Sequence, residues 1–427
     1  MENPQLVVTG ASGFIGRHLL AALAGRAEVH AVARRSPALS GAPAGPGTHW
    51  WQADIARRAD VDAAFAQIRA RGGAGTLVHL AGHYDFTGRR DPAYQATNVD
   101  GMRHVLDAAR AIGVARVIFT SSLAACAFPA RGERLRESSP PDGDTPYAES
   151  KRAGEELLRE YRGTLRSTIV RFAAVYSDWC EYEPVFHFLE QWLSESPTRR
   201  VLAGRGRSAV PYLHIRDAVG FLLHLLAHPE RTEDGEVVIG SPDGATTHRE
   251  LFAAATAAHH GQRQRPLCVP RALCRLALPL RDTAGRLTGR RPFERPWMGR
   301  MIDRALAVDT SRTRARLGWE PRPRLAILRR LPFLVENRKT YPGEWLRRNH
   351  ARSRTVRHDN LLLHGLLEAH AAQLEARLAA PLLAAAAAGT GGWRHIEPER
   401  LAELPRTLLA ALRAAVRSGE KGRFVAT

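Results

Sequence analysis

The first 180 residues of the chain alternate between short apolar runs and longer stretches with helical spacing. The apolar runs are rich in β-forming residues and lie at 5–9, 28–34, 75–82, 115–122 and 166–176. Between them, apolar positions recur every three or four residues at 14–26, 57–72, 98–113 and 147–163. A period of two residues is typical of strands, and a period near 3.6 is typical of helices. The alternation predicts βαβ units, and hence a parallel sheet with helices on both faces.

This alternation stops after about residue 180. Loops become longer and helical stretches are scattered until about residue 337, as expected of a smaller domain. From 338 to 427 the sequence is mostly helical, with two long stretches separated by TGGWRHI. We therefore expect three parts, which are 1–180 with part of 211–245, then 181–337, and finally 338–427, whose role the sequence leaves open.

The charge balance narrows the choice of partners. The formal net charge is +19, but the arginines are scattered and form no RNA-binding signature, so we expect no nucleic-acid partner. The four cysteines form no CxxC pair, and no apolar run reaches the ~20 residues that a membrane span needs. The first residues, MENPQLVVTG, lack the layout of a signal peptide, so a cytoplasmic protein is expected.

A glycine-rich turn, TGASGFIG, joins the first predicted strand to the first predicted helix. Gly10 would permit the tight turn, Gly13 would let a pyrophosphate approach the backbone, and Gly16 would let the helix pack close to the strand. The amino end of a helix attracts an anion through its free N–H groups. A glycine pattern alone is weak evidence, but its position between a strand and a helix favours dinucleotide binding.

Tyr147 and Lys151 are four residues apart on a predicted helix, and Ser122 ends a predicted strand 25 residues before the tyrosine. Residues four apart share one helix face. Because tyrosine titrates near pH 10, it is a poor base at neutrality, and we expect the lysine charge to lower its pKa. Only three of the 62 basic residues are lysines. Arginine is bulkier and planar where lysine offers a compact ammonium, which gives a physical reason for a lysine here.

Together these motifs resemble the extended short-chain dehydrogenase/reductase superfamily, which includes the NAD-dependent epimerase/dehydratase family. The glycine spacing is G-x-x-G-x-x-G, and further matching stretches are ADI (53–55), HLAG (79–82), NVDG (98–101), TSS (120–122), YAESK (147–151), HIRDA (214–218) and LGWEPR (317–322). The resemblance spans about residues 4–335. It implies an α/β fold in which a Rossmann-type doubly wound parallel sheet binds NAD(P), a smaller subdomain at 181–337 binds the substrate, and a helical extension follows.

The resemblance also implies the site residues. Tyr147 would be the acid/base, Ser122 would hold the substrate oxygen with help from Ser121 or Thr120, and Lys151 would bind the nicotinamide ribose. The expected cofactor-binding residues are Gly10, Ser12, Gly13, Phe14, Ile15, Gly16, Arg34, Arg35, Asp54, Ile55, Leu80, Ala81, Gly82, Asn98, Tyr147 and Lys151. No metal is expected, because His79 and His83 are not spaced with other ligands.

The second predicted strand ends in VARRS, which bears on the choice of cofactor. NAD enzymes usually place an acidic residue there for the ribose 2′-hydroxyl, whereas arginine suits a 2′-phosphate. Here Ala33 stands at the acidic position and is followed by Arg34 and Arg35, which can bind a phosphate bidentately. We therefore expect NADP(H), with NAD(H) as the alternative.

The reaction is less well determined than the cofactor. Leu123 and Ala124 follow Ser122, where sugar dehydratases carry an Asp-Glu pair. Ala174 and Val210 replace the asparagine and arginine that nucleotide-sugar enzymes place near a diphosphate, although Arg205 or Arg207 could compensate. The segments 119–127 and 268–289 look more like the 3β-hydroxysteroid dehydrogenase and dihydroflavonol reductase branch, whose members act on hydrophobic alcohols and ketones.

The leading hypothesis is therefore an NADP(H)-dependent oxidoreductase of a small hydrophobic carbonyl or alcohol. The alternatives are a nucleotide-sugar epimerase or reductase with the same site, and a non-catalytic dinucleotide-sensing protein. Trp179, Tyr182, Phe186, Phe188 and Trp192 could line an apolar pocket, but ordinary core packing is favoured for each. A homodimer is a further option. The basic stretch at 400–423 is compatible with an anionic membrane surface, although a packing helix is favoured.

Overall fold

A computed structural model describes residues 4–43, 45–288, 291–353 and 371–387, together with 403, 405–407 and 409–410. The chain divides into two compact units, Met1–Tyr341 and Pro342–Thr427. The first unit contains the predicted sheet and all of the residues that the sequence assigned to a site.

The strands of the first unit are short and rich in valine, isoleucine and phenylalanine, which suit a buried pleated surface. They are Gln5–Thr9 (β1), Glu28–Ala33 (β2), Thr48–Gln52 (β3), Thr76–His79 (β4), Arg116–Ser122 (β5), Arg166–Phe172 (β6), Ala174–Tyr176 (β7), Val201–Ala203 (β8), Ala209–Val210 (β9), Tyr212–His214 (β10), Glu236–Gly240 (β11), Thr246–Thr247 (β12) and Leu267–Val269 (β13).

The helices occupy most of the chain between these strands. The α-helices of the first unit are Phe14–Leu23 (α1), Pro37–Ser40 (α2), Arg58–Ala70 (α3), Gly101–Ala111 (α4), Pro146–Glu160 (α5), Glu183–Trp192 (α6), Ile215–Ala227 (α7), His248–His260 (α8), Arg271–Leu287 (α9), Ser311–Leu317 (α10) and Ile327–Thr340 (α11). A π-helical stretch, Tyr94–Asp100, leads directly into α4, and short 3₁₀ turns lie at Leu123–Ala125, Pro229–Arg231, Pro296–Met301 and Pro323–Leu325.

Seven parallel strands form the central sheet in the order β11-β6-β5-β4-β1-β2-β3. The chain runs outward from β1 to β3 and then returns to the other side of β1, so the order reverses between β1 and β4. In open α/β sheets, ligands bind at the carboxyl ends of the strands at such a point. The glycine turn follows β1, and HLAG closes β4 and the loop after it, so both motifs lie at this position.

The two faces of the sheet are covered by separate groups of helices. On one face, Leu19 of α1 and Phe221 of α7 pack in the same buried cluster as Val8 of β1. On the other face, Phe65 of α3 and Leu106 of α4 pack with Val7 of β1. Because neighbouring residues of a strand point to opposite faces, Val7 and Val8 enter different cores. The Rossmann-type doubly wound fold is confirmed.

The remaining strands of the first unit pair only in two-stranded ladders, β7 with β10, β9 with β12 and β8 with β13. Helices α6 and α8 lie beside these ladders, and the Trp192 and Phe252 rings meet edge to face with centroids 5.5 Å apart. The second unit contains Pro342–Ser353 (α12) and Ala371–Ala387 (α13), so the helical extension is also present. In α12, Glu344 pairs with Arg347 at 2.6 Å and Arg348 at 2.5 Å.

The basic stretch at 400–423 lies mostly outside the described residues. Among the residues that are described, none of the helices is both long and apolar enough to cross a membrane.

Candidate active site

Gly10 makes the turn between β1 and α1 possible. Its φ is +68°, and a Cβ at this position would lie 2.6 Å from the main-chain nitrogen of Ala81. A Cβ at Gly16 would lie 2.4 Å from the Gly10 carbonyl oxygen. The loop after β4 therefore crosses directly over the glycine turn, and helix α1 presses against the turn from the other side. This close approach requires glycine, as the sequence predicted.

The amino end of α1 has no side-chain cap. Gly13 is the N-cap residue and supplies no side chain, and the first turn contains no acidic residue. Free N–H groups and the positive end of the helix dipole favour an anion at such a place. The geometry of the turn therefore fits a pyrophosphate, and the flanking Ser12, Phe14 and Ile15 belong to the same turn.

Three arginines gather beside this turn. Arg35 donates from Nη2 to the Ser12 carbonyl oxygen at 2.7 Å. Burial lowers the pKa of Arg35, and the charges of Arg17 and Arg34 act in the same direction, which places three guanidinium groups near one another. Arg17 is paired with the buried carboxylate of Glu181. Arg34 is exposed and lies 4.0 Å from Asp54 Oδ2, so the sequence-predicted Arg34, Arg35 and Asp54 meet on the same rim.

The loop after β4 connects the glycine turn to α5. A Cβ on Gly82 would lie 3.5 Å from Asn98 Oδ1 and 3.7 Å from Lys151 Nζ. Asn98 comes from the π-helical stretch and is buried. Its side-chain oxygen accepts from the His83 N–H at 2.6 Å, and its Nδ2 donates to the His83 carbonyl at 3.0 Å and to Ser150 Oγ at 2.9 Å. Asn98 thus joins the loop after β4 to helix α5.

Helix α5 begins just before Tyr147, with Pro146 at its first turn and Thr145 as its N-cap. The Thr145 hydroxyl accepts from the Ala148 N–H at 3.1 Å, which fixes the start of the helix. Tyr147 and Lys151 then lie one turn apart, with the lysine Nζ 5.8 Å from the centroid of the tyrosine ring. Ser122, at the end of β5, lies close enough to Tyr147 to act on its pKa, and the Ser122 hydroxyl accepts from the Ala124 N–H at 3.1 Å. The structure therefore brings Ser122, Tyr147 and Lys151 together.

The pKa values of these groups differ from the expectation. Burial raises the pKa of Tyr147 to about 12, and the neighbouring Ser122 hydroxyl acts in the opposite direction. The prediction that the tyrosine pKa would be lowered is therefore wrong for this structure, because desolvation of a phenolate outweighs the stabilising contacts. Burial also lowers the pKa of Lys151 to about 8, and the charge of Glu155 acts against that shift.

Ser121 and Thr120 are both hydrogen-bonded to the scaffold. Because side chains alternate along a strand, Ser121 points to the opposite face of the sheet. Its hydroxyl donates to Glu155 Oε1 at 2.6 Å, and Glu155 is held by Arg171 at 2.7 Å in a buried ion pair. The Thr120 hydroxyl donates to the His79 carbonyl at 2.9 Å. Both hydroxyls are therefore committed to the scaffold.

An aromatic cluster surrounds Tyr147, and most of it was missed from the sequence. Tyr84 lies over Tyr147 with ring centroids 4.4 Å apart, and Tyr94 lies 6.5 Å away. From Tyr84 the cluster continues through Phe86 to Tyr182 and Phe293, with centroid separations of 4.7, 5.9 and 5.6 Å. We call Tyr84, Phe86, Tyr94, Tyr147, Tyr182 and Phe293 the aromatic cluster.

Of the five aromatic residues considered from the sequence, Tyr182 belongs to this cluster. Phe186 and Trp192 are buried in the core, Phe188 stacks on Trp192, and Trp179 faces Tyr341. Core packing was therefore the better interpretation for Phe186 and Trp192. A signal for the missed residues existed in the HYDF sequence directly after HLAG, because a loop that leaves a strand at the carboxyl edge of the sheet lies over the site.

The two histidines near the glycine turn have different surroundings. His79 is buried, its Nδ1 lies 2.9 Å from Thr9 Oγ1, and burial lowers its pKa to about 3, so it is a neutral scaffold residue. His83 Nε2 lies 3.7 Å from Asp85 Oδ2 and 3.8 Å from Asp91 Oδ2, a grouping that the sequence spacing did not suggest. Carboxylates are common beside histidine without a metal, and we assign no metal to this group.

Known proteins of similar sequence include a reductase and an epimerase. The sequence matches the NAD dependent epimerase/dehydratase family over residues 6–240. A ceramide reductase of Caulobacter vibrioides is 32% identical over 228 residues, which are 52% of this chain and 61% of the relative. A UDP-glucose 4-epimerase of Mycolicibacterium smegmatis is 28% identical over 335 residues, covering 75% of this chain and 94% of the relative. The chain thus spans about three fifths of the reductase and nearly all of the epimerase.

Solved structures agree on the fold. A Thermus thermophilus UDP-glucose 4-epimerase in complex with NAD superposes with a TM-score of 0.59 at 21% identity, covering 79% of this chain and 99% of that chain. A Thermotoga maritima UDP-glucose 4-epimerase with UDP-glucose gives a TM-score of 0.60 at 22% identity, with the same coverage. The family match extends over more than half of the 427 residues, from β1 through β11. The chain therefore belongs to the NAD-dependent epimerase/dehydratase family.

Proposed function

We propose that this chain is an NADP(H)-dependent oxidoreductase that interconverts a carbonyl and an alcohol on a hydrophobic substrate. The observation that carries the proposal is that Tyr147 lies beside Ser122 and among the rings of the aromatic cluster. A proton donor beside a second hydroxyl can hold and protonate a carbonyl oxygen, and the aromatic rings suit an apolar substrate.

The residues present fit a nicotinamide dinucleotide. Gly10, Gly13 and Gly16 would hold its pyrophosphate at the start of α1, and Asp54, Ile55 and the 80–82 loop would border the rest of the site. When bound, this cofactor supplies or accepts the hydride. Arg34 and Arg35 support NADP(H), because Ala33 leaves the end of β2 without a carboxylate that would repel a 2′-phosphate. The family is named for NAD, and NAD is therefore the competing cofactor in the test.

The pKa values give the proton state of the resting site. With a pKa of about 12, Tyr147 carries its proton at neutral pH, so the resting site holds an acid ready to protonate a substrate oxygen. Ser122 would accept or donate the hydrogen bond that positions that oxygen. Lys151, whose pKa is about 8, is mostly an ammonium at neutral pH and would stabilise the phenolate that remains after proton transfer.

A nucleotide-sugar epimerase or reductase is the second candidate, and the epimerase relatives favour it. A local observation weighs against it. The loop at 204–207 could offer backbone N–H groups to a diphosphate, but the Arg205 and Arg207 N–H groups both donate to the Asp303 carboxylate, at 2.9 and 3.0 Å. The backbone N–H groups of this loop already bind a carboxylate of the protein itself, that of Asp303. Ala174 and Val210 also supply no polar contact where an asparagine and an arginine would be expected.

The test combines binding and turnover on the full chain. Thermal stabilisation would be measured with NADP(H), NAD(H), ketones of increasing chain length and UDP-sugars, because a ligand that binds the folded state raises the melting temperature. Oxidation of NADPH would then be followed with each ketone. We expect consumption of NADPH that depends on an apolar ketone and is lost in Tyr147→Phe.

Three results would contradict the proposal. Epimerisation of a UDP-sugar without net consumption of cofactor would establish the second candidate. Stabilisation by a dinucleotide, with no turnover of any carbonyl, would indicate a non-catalytic sensing protein. A kcat/KM with NADH equal to or above that with NADPH would overturn the cofactor preference.

We further propose the division of labour along the chain. Residues 1–180 with part of 211–245 would bind the cofactor, residues 181–337 would supply most of the substrate-binding surface, and 338–427 would be a helical extension. The positions of the glycine turn, Tyr182 and Phe293 within these ranges support this division.

A further inference from the structure

Helix α9, Arg271–Leu287, presents its leucines to solvent. Leu273, Leu276, Leu280 and Leu287 follow one another at helical spacing and are exposed by 56%, 68%, 71% and 84%. We call these four residues the α9 leucine face. A helix on the surface of a soluble domain normally turns its apolar stripe toward the core. In α9 the apolar stripe instead faces away from the core. Contiguous exposed apolar surface of this kind marks an interaction site.

The inner side of α9 explains why the helix cannot simply rotate. Its buried residues are Asp282 and Gly285. The Asp282 carboxylate binds Arg286 at 2.7 Å, Arg291 at 2.5 Å and Arg295 at 3.5 Å. Turning the leucines inward would break these ion pairs and bring a charged cluster to the outside. The carboxylate thus fixes the orientation that leaves the leucine face uncovered.

Helix α9 also contacts the 296–301 turn. Arg275 Nε donates to the Gly299 carbonyl at 3.4 Å. A Cβ on Gly299 would lie 3.3 Å from Leu278 Cδ1, so the helix rests directly on the 296–301 turn. The helix is therefore docked along one narrow stripe, and most of its remaining circumference faces outward.

The charges around the leucine face select a partner. Residues 261–288 contain one acidic residue, Asp282, which is buried. The same segment contains six arginines, all of them exposed, at positions 263, 265, 271, 275, 281 and 286. Arg286 is paired with Asp282, Arg281 lies 3.7 Å from Glu294, and Arg275 is bonded to Gly299, but the segment keeps a net positive charge. A leucine face on a basic segment suits an anionic bilayer, where the leucines enter the acyl boundary and the arginines meet the headgroups. A second copy would bring the same positive charges together and is disfavoured by like-charge repulsion.

We propose that α9 docks this protein on the surface of an anionic lipid bilayer through the α9 leucine face. The site differs from the basic stretch at 400–423 that the sequence suggested for a membrane contact. It lies in a segment that continues into Phe293, whose ring stacks on His187 at 4.4 Å and packs against Phe86 in the aromatic cluster. The proposal holds whether or not Tyr147 is catalytic, because it concerns only where the protein binds.

The experiment measures co-sedimentation of the full chain with vesicles of phosphatidylcholine alone or mixed with phosphatidylglycerol. The double variant Leu276→Glu/Leu280→Glu tests the face, since both side chains are exposed and their replacement should leave the core intact. Leu328→Glu, at an exposed leucine of α11, is the matched control. Arg271→Glu/Arg281→Glu tests the charges, with Arg26→Glu as its control. Thermal melts of all variants establish that they are folded.

We expect the wild type and both controls to bind the mixed vesicles, and the leucine double variant to bind at least roughly tenfold more weakly. The arginine double variant should lose several-fold, and salt should weaken wild-type binding. The proposal is overturned if the wild type binds no vesicles, or if the leucine variant binds them as well as Leu328→Glu does. It is also overturned by a concentration-dependent dimer that the leucine variant abolishes in the absence of vesicle binding, because the occupant would then be a second copy.

Discussion

The Lys151 ammonium donates a hydrogen bond to the main-chain carbonyl oxygen of Thr120 at 2.8 Å. Lys151 belongs to α5 and Thr120 to β5, two residues before Ser122. The lysine therefore does more than stand beside Tyr147, because it ties the helix that carries the tyrosine to the strand that carries the serine. Its side chain is buried, and the cost of burying the charge appears in its lowered pKa.

Lys151 should make stability depend on pH. Its pKa is lowered from the usual value of 10.5 to about 8, so between these values the unfolded chain binds the proton and the folded chain does not. Stability therefore rises with pH across this window. Relative to Lys151→Met, the wild type should gain about 3 kcal/mol between pH 8 and pH 10.5, and nothing below pH 7. Urea unfolding of both proteins across this range measures the difference, and parallel curves would contradict the assigned pKa.

Tyr147→Phe should remove turnover while leaving cofactor binding within about twofold, because general acid catalysis contributes roughly 10²–10⁴-fold. The variant keeps the ring and its contact with Tyr84. Tyr94→Phe serves as a control, since that ring belongs to the same cluster but its hydroxyl is hydrogen-bonded to Asp85. Turnover of the preferred ketone and fluorescence titration with NADPH measure the two properties. Activity of Tyr147→Phe near that of the wild type would remove Tyr147 from the mechanism.

The adjacent serines should respond in opposite ways. Ser122→Ala removes the hydroxyl beside Tyr147, so kcat should fall by about 10²-fold or more, and loss of its exposed hydrogen bond from the Ala124 N–H should cost only about 1 kcal/mol. Ser121→Ala removes a hydrogen bond to the buried Glu155 carboxylate, so stability should fall by about 1–3 kcal/mol with kcat nearly unchanged. Steady-state kinetics and urea unfolding on both variants provide the comparison. A loss of activity in Ser121→Ala that equals the loss in Ser122→Ala would show that the strand alternation does not separate their roles.

Arg34→Ala should reduce the preference for NADPH over NADH by roughly tenfold, mostly through the KM for NADPH, because a guanidinium can bind a 2′-phosphate bidentately. Arg34 is the sharper choice of the two arginines, since Arg35 also supports the glycine turn through the Ser12 carbonyl. Arg26→Ala removes an exposed arginine that follows α1 and serves as the control. An unchanged ratio of kcat/KM values would mean that Arg34 does not contact the phosphate.

Gly10→Ala should destabilise the fold more than Gly25→Ala. Both glycines have positive φ, +68° and +70°, so both substitutions carry the cost of about 1–2 kcal/mol for a left-handed residue. A Cβ at Gly25 would meet nothing within 4 Å, whereas at Gly10 it would meet the Leu80–Ala81 backbone. The extra loss should be about 2 kcal/mol or more. Equal losses of stability for the two variants in thermal or urea unfolding would show that the backbone at 80–81 moves away from the added Cβ without cost.

Much of the fold and part of the site could be predicted from the sequence because both depend on local patterns. The predicted strand QLVVT has the same bounds as β1. Its side chains alternate between the two cores, with Leu6 and Val8 in one and Val7 in the other. The spacing from Tyr147 to Lys151 fixes their common helix face, and the strand before Ser122 fixes its position at the sheet edge. In each case a few neighbouring residues decide the geometry.

The remaining features depend on contacts between distant segments. Tyr84 and Phe86 lie in a loop without periodicity, and only the packing of residues 291–295 brings Phe293 to them. The raised pKa of Tyr147 follows from burial under those rings, which spacing along the helix does not reveal. Likewise, the sequence shows that α9 has an apolar stripe, but Asp282 and its arginines decide which way the stripe faces.

Strand β5 has a consequence for how the gene for this protein can change. Ser121 and Ser122 are neighbours in one strand and point to opposite faces of the sheet. Ser121 is hydrogen-bonded to the buried Glu155–Arg171 ion pair, and Ser122 lies beside Tyr147. Insertion or deletion of a single codon in β5 before Ser121 would exchange the faces of the two serines relative to the start of the strand, and of every residue between the change and the serines. A change of two codons would restore the order. We therefore expect this strand to tolerate insertions or deletions of two residues better than those of one residue.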